Sequence, residues 1–186
     1  MSLAEAIHRR RSVRDFSAEA IFRHQLSQIL WVAQGVGWEG YRSVPSAGAT
    51  FPLEIVVAAG EGGVEGLDAG LYRYLPEGHS LSRHYAGDVR RELAAAALGQ
   101  ESIYEAPVDI IIGAVRSRTL TRYGARGEGY VYMEAGHAGQ NIYLQATALG
   151  LGTVAIGAFR DEAVIEVLRL GGEYRTLYIM PIGKPA

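Results

Sequence analysis

The chain has 186 residues, with 48% hydrophobic and 20% charged residues, no cysteine and a formal net charge of −2 at pH 7. This composition fits a soluble globular domain large enough to bury a core, and it excludes disulfides, thiolate metal sites and cysteine nucleophiles. Residues 1–11 contain no apolar core of signal-peptide length, and no uninterrupted apolar run approaches the length of a membrane span. There is no broad basic face, so we expect a cytoplasmic protein with no membrane or nucleic-acid partner.

Two helices and a loop are predicted for the first 52 residues. Ser2 can cap a short helix that ends at Arg10, and Ser17 can cap a second helix over residues 18–34, because serine hydroxyls accept from the free N–H groups of a first turn. Apolar residues recur at helical spacing along the second segment. Glycine and proline then punctuate residues 35–52, which predicts a loop.

The middle of the chain predicts two buried strands with a hairpin between them. Residues 53–59 (LEIVVAA) and 107–115 (PVDIIIGAV) are rich in β-branched side chains and do not alternate with polar ones. Between them, the side chains of residues 71–75 alternate in hydrophobicity, as in a strand. Residues 76–78 (PEG) predict a turn, and residues 80–84 predict the second strand of the hairpin.

The remaining elements mix helices and strands in irregular order, which predicts an α+β three-layer domain. No repeat or linker interrupts the chain, so residues 1–186 are predicted to form one domain. The predicted elements are a helix capped by Asp88 that ends at about Leu98, the longest helix over 128–149, a strand over 153–156, a helix capped by Asp161 that ends at Leu170, and a final strand over 176–182.

The longest predicted helix carries one Glu-x-x-His pair, Glu134 and His137. This spacing puts a carboxylate and an imidazole on one helix face, but a di-iron bundle needs two such pairs and two further glutamates. We therefore predict no metal site. His137 is expected to pack at a helix interface beside a carboxylate.

The most concentrated cationic stretch is RRRSVR, residues 9–14. Arginine offers planar, bidentate donors that match phosphate oxygens, and serine adds a neutral donor, so the stretch predicts a phosphate site. The alternative is a solvated helix end, because cations favour the C-terminal end of a helix dipole.

Four segments taken together resemble the FMN-dependent nitroreductase superfamily, and within it the branch that includes thiazoline and oxazoline dehydrogenases. They are RRSVRDFS, VPSAGATFPLEIVV, EAGHAGQNIYLQATALGLGTVAIGAF and YIMPIGKP, in that order along the chain. The resemblance implies a nitroreductase-like three-layer α-β-α sandwich with a central mixed, mostly antiparallel sheet. It also implies a homodimer with FMN at the subunit interface.

The same resemblance implies which residues bind the cofactor. The first segment and Lys184 would hold the phosphate, ribityl chain and pyrimidine edge of FMN. The second segment would approach the flavin ring from the other protomer, and the third would lie along the ring face. The implied cofactor-binding residues are Arg10, Arg11, Ser12, Arg14, Pro45, Ser46, Ala47, Gly48, Ala155, Ile156, Gly157, Ala158 and Lys184.

One position departs from the azoline-oxidising branch. A Lys-Tyr pair is expected shortly before the longest helix, and here the matching residues are Arg122 and Tyr123. Arginine stays protonated and cannot act as a general base near neutral pH, whereas a desolvated lysine can. Tyr123 could still donate or relay a proton, so both residues are candidate catalytic residues. The alternative for Arg122 is a surface ion pair.

The resemblance thus implies an FMN-dependent oxidoreductase that is reduced by NAD(P)H and then, in ping-pong fashion, reduces a small electron-poor substrate such as a quinone or nitro compound. Two alternatives stay open. One is a flavin dehydrogenase or oxidase of the azoline-oxidising type, and the other is a flavin-binding protein without turnover.

Overall fold

The centre of the molecule is one six-stranded sheet, seen in a computed structural model that describes residues 1–186. The strands lie in the order β3-β2-β1-β4-β6-β5, so that β6, the last in sequence, lies inside the sheet. Every neighbouring pair is antiparallel. The strands are β1 (Leu53–Ala59), β2 (Gly70–Leu75), β3 (Ser80–Ala86), β4 (Val108–Val115), β5 (Gly152–Thr153) and β6 (Tyr174–Gly183).

Seven α-helices lie on the two faces and ends of this sheet. They are α1 (Leu3–Arg9), α2 (Arg23–Gln34), α3 (Arg90–Ala96), α4 (Glu101–Glu105), α5 (Ser117–Tyr123), α6 (Gly127–Ala148) and α7 (Asp161–Val167). Side chains of α2 and α6 form the core on one face, and those of α3, α4 and α7 form a second core on the other. The predicted α+β three-layer sandwich is confirmed, and a parallel bridge occurs only between Ile21 and Val64. None of these helices combines the length and apolar character needed to cross a bilayer.

Strand β4 shows why its segment is apolar at nearly every position. Val108, Ile110 and Ile112 belong to the core beneath α2 and α6, whereas Ile111 belongs to the core beneath α3 and α7. Successive side chains of a strand point to opposite faces, so a strand covered on both faces favours apolar residues throughout. Asp109 is the exception: it is fully buried, and neither of its carboxyl oxygens has a hydrogen-bond partner. The prediction from the run of β-branched residues is therefore confirmed to within one residue.

The second helix begins later than predicted. It starts at Arg23 rather than residue 18, and Ser17 does not cap it. The Ser17 N–H instead donates to the Lys184 carbonyl at 2.9 Å, and Phe16 pairs with Pro185. Residues 15–17 are thus held extended along the end of the chain, an interaction that no local pattern encodes.

Two other predicted helices are shorter than expected. The helix after Asp88 ends at Ala96, and Leu98 takes a left-handed φ of 61° before the separate α4 begins. The helix predicted to end at Leu170 ends at Val167. Its N-cap is Arg160, so the prediction that Asp161 caps it is wrong.

The predicted strand over 153–156 is reduced to Gly152–Thr153, although Ile156 still bridges Ile179. Helix α5 was not predicted, because its sequence, SRTLTRY, lacks an apolar face at helical spacing.

Candidate functional site

The arginine-rich segment follows α1, and the residues after it lie beside the last residues of the chain. The Val13 N–H donates to the Thr153 carbonyl at 2.9 Å, and the Ala186 N–H donates to the Asp15 carbonyl at 3.2 Å. Gly152 permits this approach, because a Cβ there would lie 2.7 Å from the Val13 side chain. The backbone of residues 13–17 therefore lies beside residues 153 and 184–186.

Tyr143 on α6 is the centre of the first group of candidate residues. Its hydroxyl lies 3.0 Å from Ser12 Oγ and accepts the Ala155 N–H at 2.8 Å. The Arg10 guanidinium carbon lies 5.2 Å from the centre of the Tyr143 ring, in cation–π range. The structure thus brings together three predicted residues from two distant segments around a tyrosine that sequence reasoning missed.

The cations of the N-terminal segment and Lys184 differ in their partners. Arg10, Arg11 and Arg14 take part in no ion pair, whereas the neighbouring Arg9 pairs with a carboxylate. Unpaired guanidinium groups beside a serine hydroxyl form a donor set that fits a phosphate. Lys184 Nζ donates to the Glu19 carboxylate, so it would have to exchange or share that partner to reach an anion.

Residues 155–158 present small side chains at the surface beside β6. Ile156 is buried and exchanges two backbone hydrogen bonds with Ile179, at 2.9 and 3.0 Å. Gly157 and Ala158 are exposed, and a Cβ at Gly157 would lie 3.8 Å from the Tyr178 ring. The segment is therefore anchored at Ile156 and leaves an open face at the two residues that follow.

The second group of candidate residues surrounds Gly48. Arg122 Nη1 donates to the Gly48 carbonyl at 2.9 Å, and a Cβ on Gly48 would lie 2.4 Å from the Tyr123 hydroxyl. Gly48 has φ +58°, and the non-glycine residues Ala49 and Phe51 also have left-handed φ values of 53° and 45°. Residues with strained backbone conformations cluster at functional sites, and they keep these conformations only where contacts with the surrounding structure hold them. Arg122 supplies part of that support and forms no ion pair.

The loop of the second group runs along α6 within one protomer. The Asn141 side chain donates to the Ser43 carbonyl at 3.3 Å, Ser46 lies beside Glu134, and Gly48 contacts Arg122 and Tyr123 of α5. Glu134 precedes Tyr143 by nine residues, about 13 Å along the helix at 1.5 Å rise per residue. No hydrogen bond within one copy of the chain joins residues 45–48 to Ser12, Tyr143 or Ala155.

A buried carboxyl lies beneath the second group. Glu134 on α6 is 3% exposed, and its burial raises the pKa from 4.5 to about 7, an effect that the nearby Ser46 and Gln34 side chains and the positive charge of Arg42 partly offset. Within one copy of the chain His137 is exposed and pairs with no carboxylate. The expected packing at a helix interface is therefore not formed inside one protomer.

Glu134→Gln is expected to change how stability depends on pH. The raised pKa of Glu134 means that its contribution to stability is full below pH 4.5 and is lost as pH rises through about 7. The variant should match the wild type near pH 4.5 and be more stable at pH 8, by about 1–3 kcal/mol. Thermal unfolding of both proteins across this range measures the difference.

Glu128→Gln is the matched control on the same helix. Hydrogen bonds from Tyr132 and Arg116 lower the pKa of Glu128, so this variant should lose stability at pH 8 rather than gain it. A difference between Glu134→Gln and the wild type that is the same at both pH values would show that Glu134 does not titrate in the folded protein.

Comparison with known proteins finds similarity over almost the whole chain. The model of a family described as the nitroreductase family matches residues 7–184. A protein of Methanocaldococcus jannaschii with a provisional nitroreductase name is 47% identical over 185 residues, which cover 99% of this chain and 91% of that protein.

Solved structures share the fold. A crystal structure from Ralstonia eutropha, provisionally assigned as a nitroreductase, superposes with a TM-score of 0.87 at 29% identity and covers 100% of this chain and 84% of that one. The E. coli microcin synthetase complex McbBCD gives a TM-score of 0.81 at 21% identity over 97% of this chain and 73% of that one. At that identity the second likeness shows the fold alone.

Proposed function

The chain belongs to the nitroreductase family, and from that premise we propose that it is an FMN-dependent oxidoreductase that uses NAD(P)H to reduce a small electron-poor substrate. The observation that carries the proposal is the convergence of Arg10, Ser12 and Ala155 on Tyr143. Quinones and nitro compounds are the acceptors with the required chemistry.

The N-terminal cations bind the FMN phosphate in this proposal. Arg10, Arg11 and Arg14 supply guanidinium donors without competing carboxylates, and Ser12 supplies a hydroxyl. Stacking on Tyr143 restrains the Arg10 side chain before the anion arrives, which reduces the entropy lost on binding. Lys184 binds the phosphate once its ammonium group has exchanged Glu19 for the anion.

We propose that the protein is a homodimer, because the flavin site needs both groups of candidate residues and a second copy of the chain can bring them together. A two-fold axis that crosses α6 would bring the N-terminal end of one helix near the C-terminal end of the other. The exposed side of α6 suits such packing, since Tyr132 and Met133 are each 54% exposed and Gly136 adds no side chain beyond them. Residues 45–48 of one protomer would then face the Tyr143 group of its partner.

The remaining site residues shape the space for the substrate. Bound FMN would supply the electron chemistry, accepting a hydride from the nicotinamide and passing the electrons to the acceptor in a second step. Gly157 and Ala158 leave room for a planar molecule at the flavin face. Tyr123 is the candidate proton donor to the acceptor, and Arg122 fixes the loop at Gly48 against it.

The direct test is a spectrum and an assay of the purified protein. We expect flavin absorption, or its appearance on reconstitution with FMN, and NAD(P)H-dependent reduction of menadione or of a nitroarene. A protein that cannot be loaded with FMN would contradict the proposal. Turnover with oxygen and no nicotinamide would indicate a dehydrogenase or oxidase instead, and bound flavin that nicotinamides do not reduce would indicate a binding protein.

Arg122→Ala is expected to leave FMN binding unchanged and to lower kcat/KM about tenfold, the size of one lost charge-assisted hydrogen bond. The reason is that the carbonyl of the strained Gly48 loses its donor. Arg122→Lys, which keeps a donor, should recover part of the activity. Arg91→Ala, on α3 in the opposite layer, is the control. Full activity in Arg122→Ala would show that the contact with Gly48 has no role in turnover.

A further inference from the structure

A cavity of the protein lies apart from both groups of candidate residues. It is a cleft of about 800 Å³ between the first turns of α2 and the β2–β3 hairpin. On this face α2 packs on α6 and β1, and the edge strand β3 beyond it stays mostly exposed. A cavity of this size accepts a small organic molecule. None of the predicted FMN-binding or catalytic residues lines it.

The floor of the cleft is apolar. Leu26, Leu30 and Tyr72 belong to the buried core, and the half-buried Leu67 and Leu81 extend that surface toward solvent. A ligand that covered these side chains would remove apolar surface from water, which favours a hydrocarbon or aromatic body.

A chain of three hydrogen-bonding groups spans one end of the cleft. Ser27 Oγ on α2 lies 2.7 Å from His79 Nε2, and His79 Nδ1 lies 2.7 Å from the Tyr74 hydroxyl. Burial raises the pKa of Tyr74 to about 12, so the phenol stays neutral. His79, at the hairpin turn, holds this position with a left-handed φ of 43°.

The directions of these two hydrogen bonds depend on the tautomer of His79. Where the Tyr74 O–H donates to Nδ1, the ring proton resides on Nε2 and is donated to Ser27 Oγ. In this tautomer the Ser27 hydroxyl proton can donate into the cleft.

The residues that line the cleft include a cationic side chain but no aspartate or glutamate. Arg23 lies one helical turn before Ser27, on the same side of α2, and it is exposed and forms no ion pair. His24 stands beside it, and no aspartate or glutamate lines the cleft. The polar groups that face the cavity can therefore donate to an anion, and the nearby Glu77 is paired with Arg42.

We propose that this cleft binds a small organic carboxylate with an apolar body. The Arg23 guanidinium and the Ser27 hydroxyl hold the carboxylate, and the body lies on Leu30, Leu67 and Leu81. An arginine beside a hydroxyl donor is the pairing that a carboxylate requires, and the leucine floor selects against small hydrophilic anions. The site is independent of the proposed oxidoreductase function.

Isothermal titration calorimetry of the purified protein, saturated with FMN, tests the proposal with octanoate as the probe. We expect saturable binding of octanoate, at least tenfold weaker binding of the uncharged octanamide, and no measurable binding of acetate. Arg23→Gln should weaken octanoate binding about tenfold, the loss expected for one charge-assisted hydrogen bond, and should leave octanamide unchanged. Because Arg23 is exposed, this variant should fold normally.

Arg83→Gln is the matched control, since Arg83 lies on β3, pairs with Asp68 and does not line the cleft. It should bind octanoate as the wild type does. No saturable binding, equal affinity for octanoate and octanamide, or an unchanged affinity in Arg23→Gln would overturn the proposal. Release of FMN by octanoate would also overturn it, because the anion would then be bound by the N-terminal arginines.

Discussion

Arg10→Ala is expected to raise the dissociation constant for FMN about 10- to 100-fold, the loss of one or two charge-assisted hydrogen bonds. Arg10 is half-buried, has no carboxylate partner and stacks on the Tyr143 ring with its guanidinium carbon 5.2 Å from the ring centre. Stacking holds the side chain in place, so its removal costs a preorganised donor rather than a mobile one. Flavin fluorescence during titration of the apoprotein measures the change.

Arg9→Ala provides the control for this prediction. Arg9 is the preceding residue and has the same charge, but it is 61% exposed and pairs with Glu5 at 2.7 Å. Its loss should alter FMN affinity less than about twofold, since exposed charges contribute little. Similar effects of the two substitutions would mean that these arginines attract FMN only through their overall positive charge. The proposed contact of Arg10 with the phosphate would then be wrong.

Gly113→Ala is expected to destabilise the protein by about 2–3 kcal/mol, because overpacked cores lose that much. Gly113 lies in β4 opposite β6, where the register shifts, and a Cβ there would lie 2.1 Å from Tyr174 Cζ. Tyr174 is 7% exposed, so the added methyl group has to displace a ring that is held in the core. The melting temperature should fall by about 4–12 °C.

Two further variants distinguish steric crowding of Tyr174 by the added methyl group from the effect of replacing a glycine as such. Gly113→Ala combined with Tyr174→Leu should recover part of the stability, because the shorter side chain makes room for the methyl group. Gly171→Ala should change little, since no atom lies within 4 Å of the added Cβ. If the double variant melts no higher than Gly113→Ala, the contact with the Tyr174 ring is not the cause.

The elements that the sequence predicted well are those with strong local patterns. Strand β1 has the predicted bounds, and α6 begins and ends within one residue of its prediction. The start of α2 was wrong because residues 15–17 pair with residues 184–186, far away in sequence. Helix α5 depends on tertiary contacts as well, including a 2.8 Å hydrogen bond between Thr50 and Thr119.

The candidate site was predictable in its charges but not in its contacts. The arginines and Ser12 stand out by composition, whereas Tyr143 is one of 11 tyrosines and carries no motif of its own. Its importance appears only when α6 places its hydroxyl between Ser12 and Ala155. Likewise, Arg122 and Gly48 were both predicted, but the hydrogen bond between them depends on the packing of α5 against the loop.

The interior position of β6 has a consequence for synthesis of the protein. This strand joins β4 to β5, and Lys184 follows directly after it. Strand β4 therefore has no partner on this side, and β5 has no partner at all, until residues 174–183 have been synthesised. The sheet consequently depends on contacts between segments far apart in sequence, which are intrinsically slow to form.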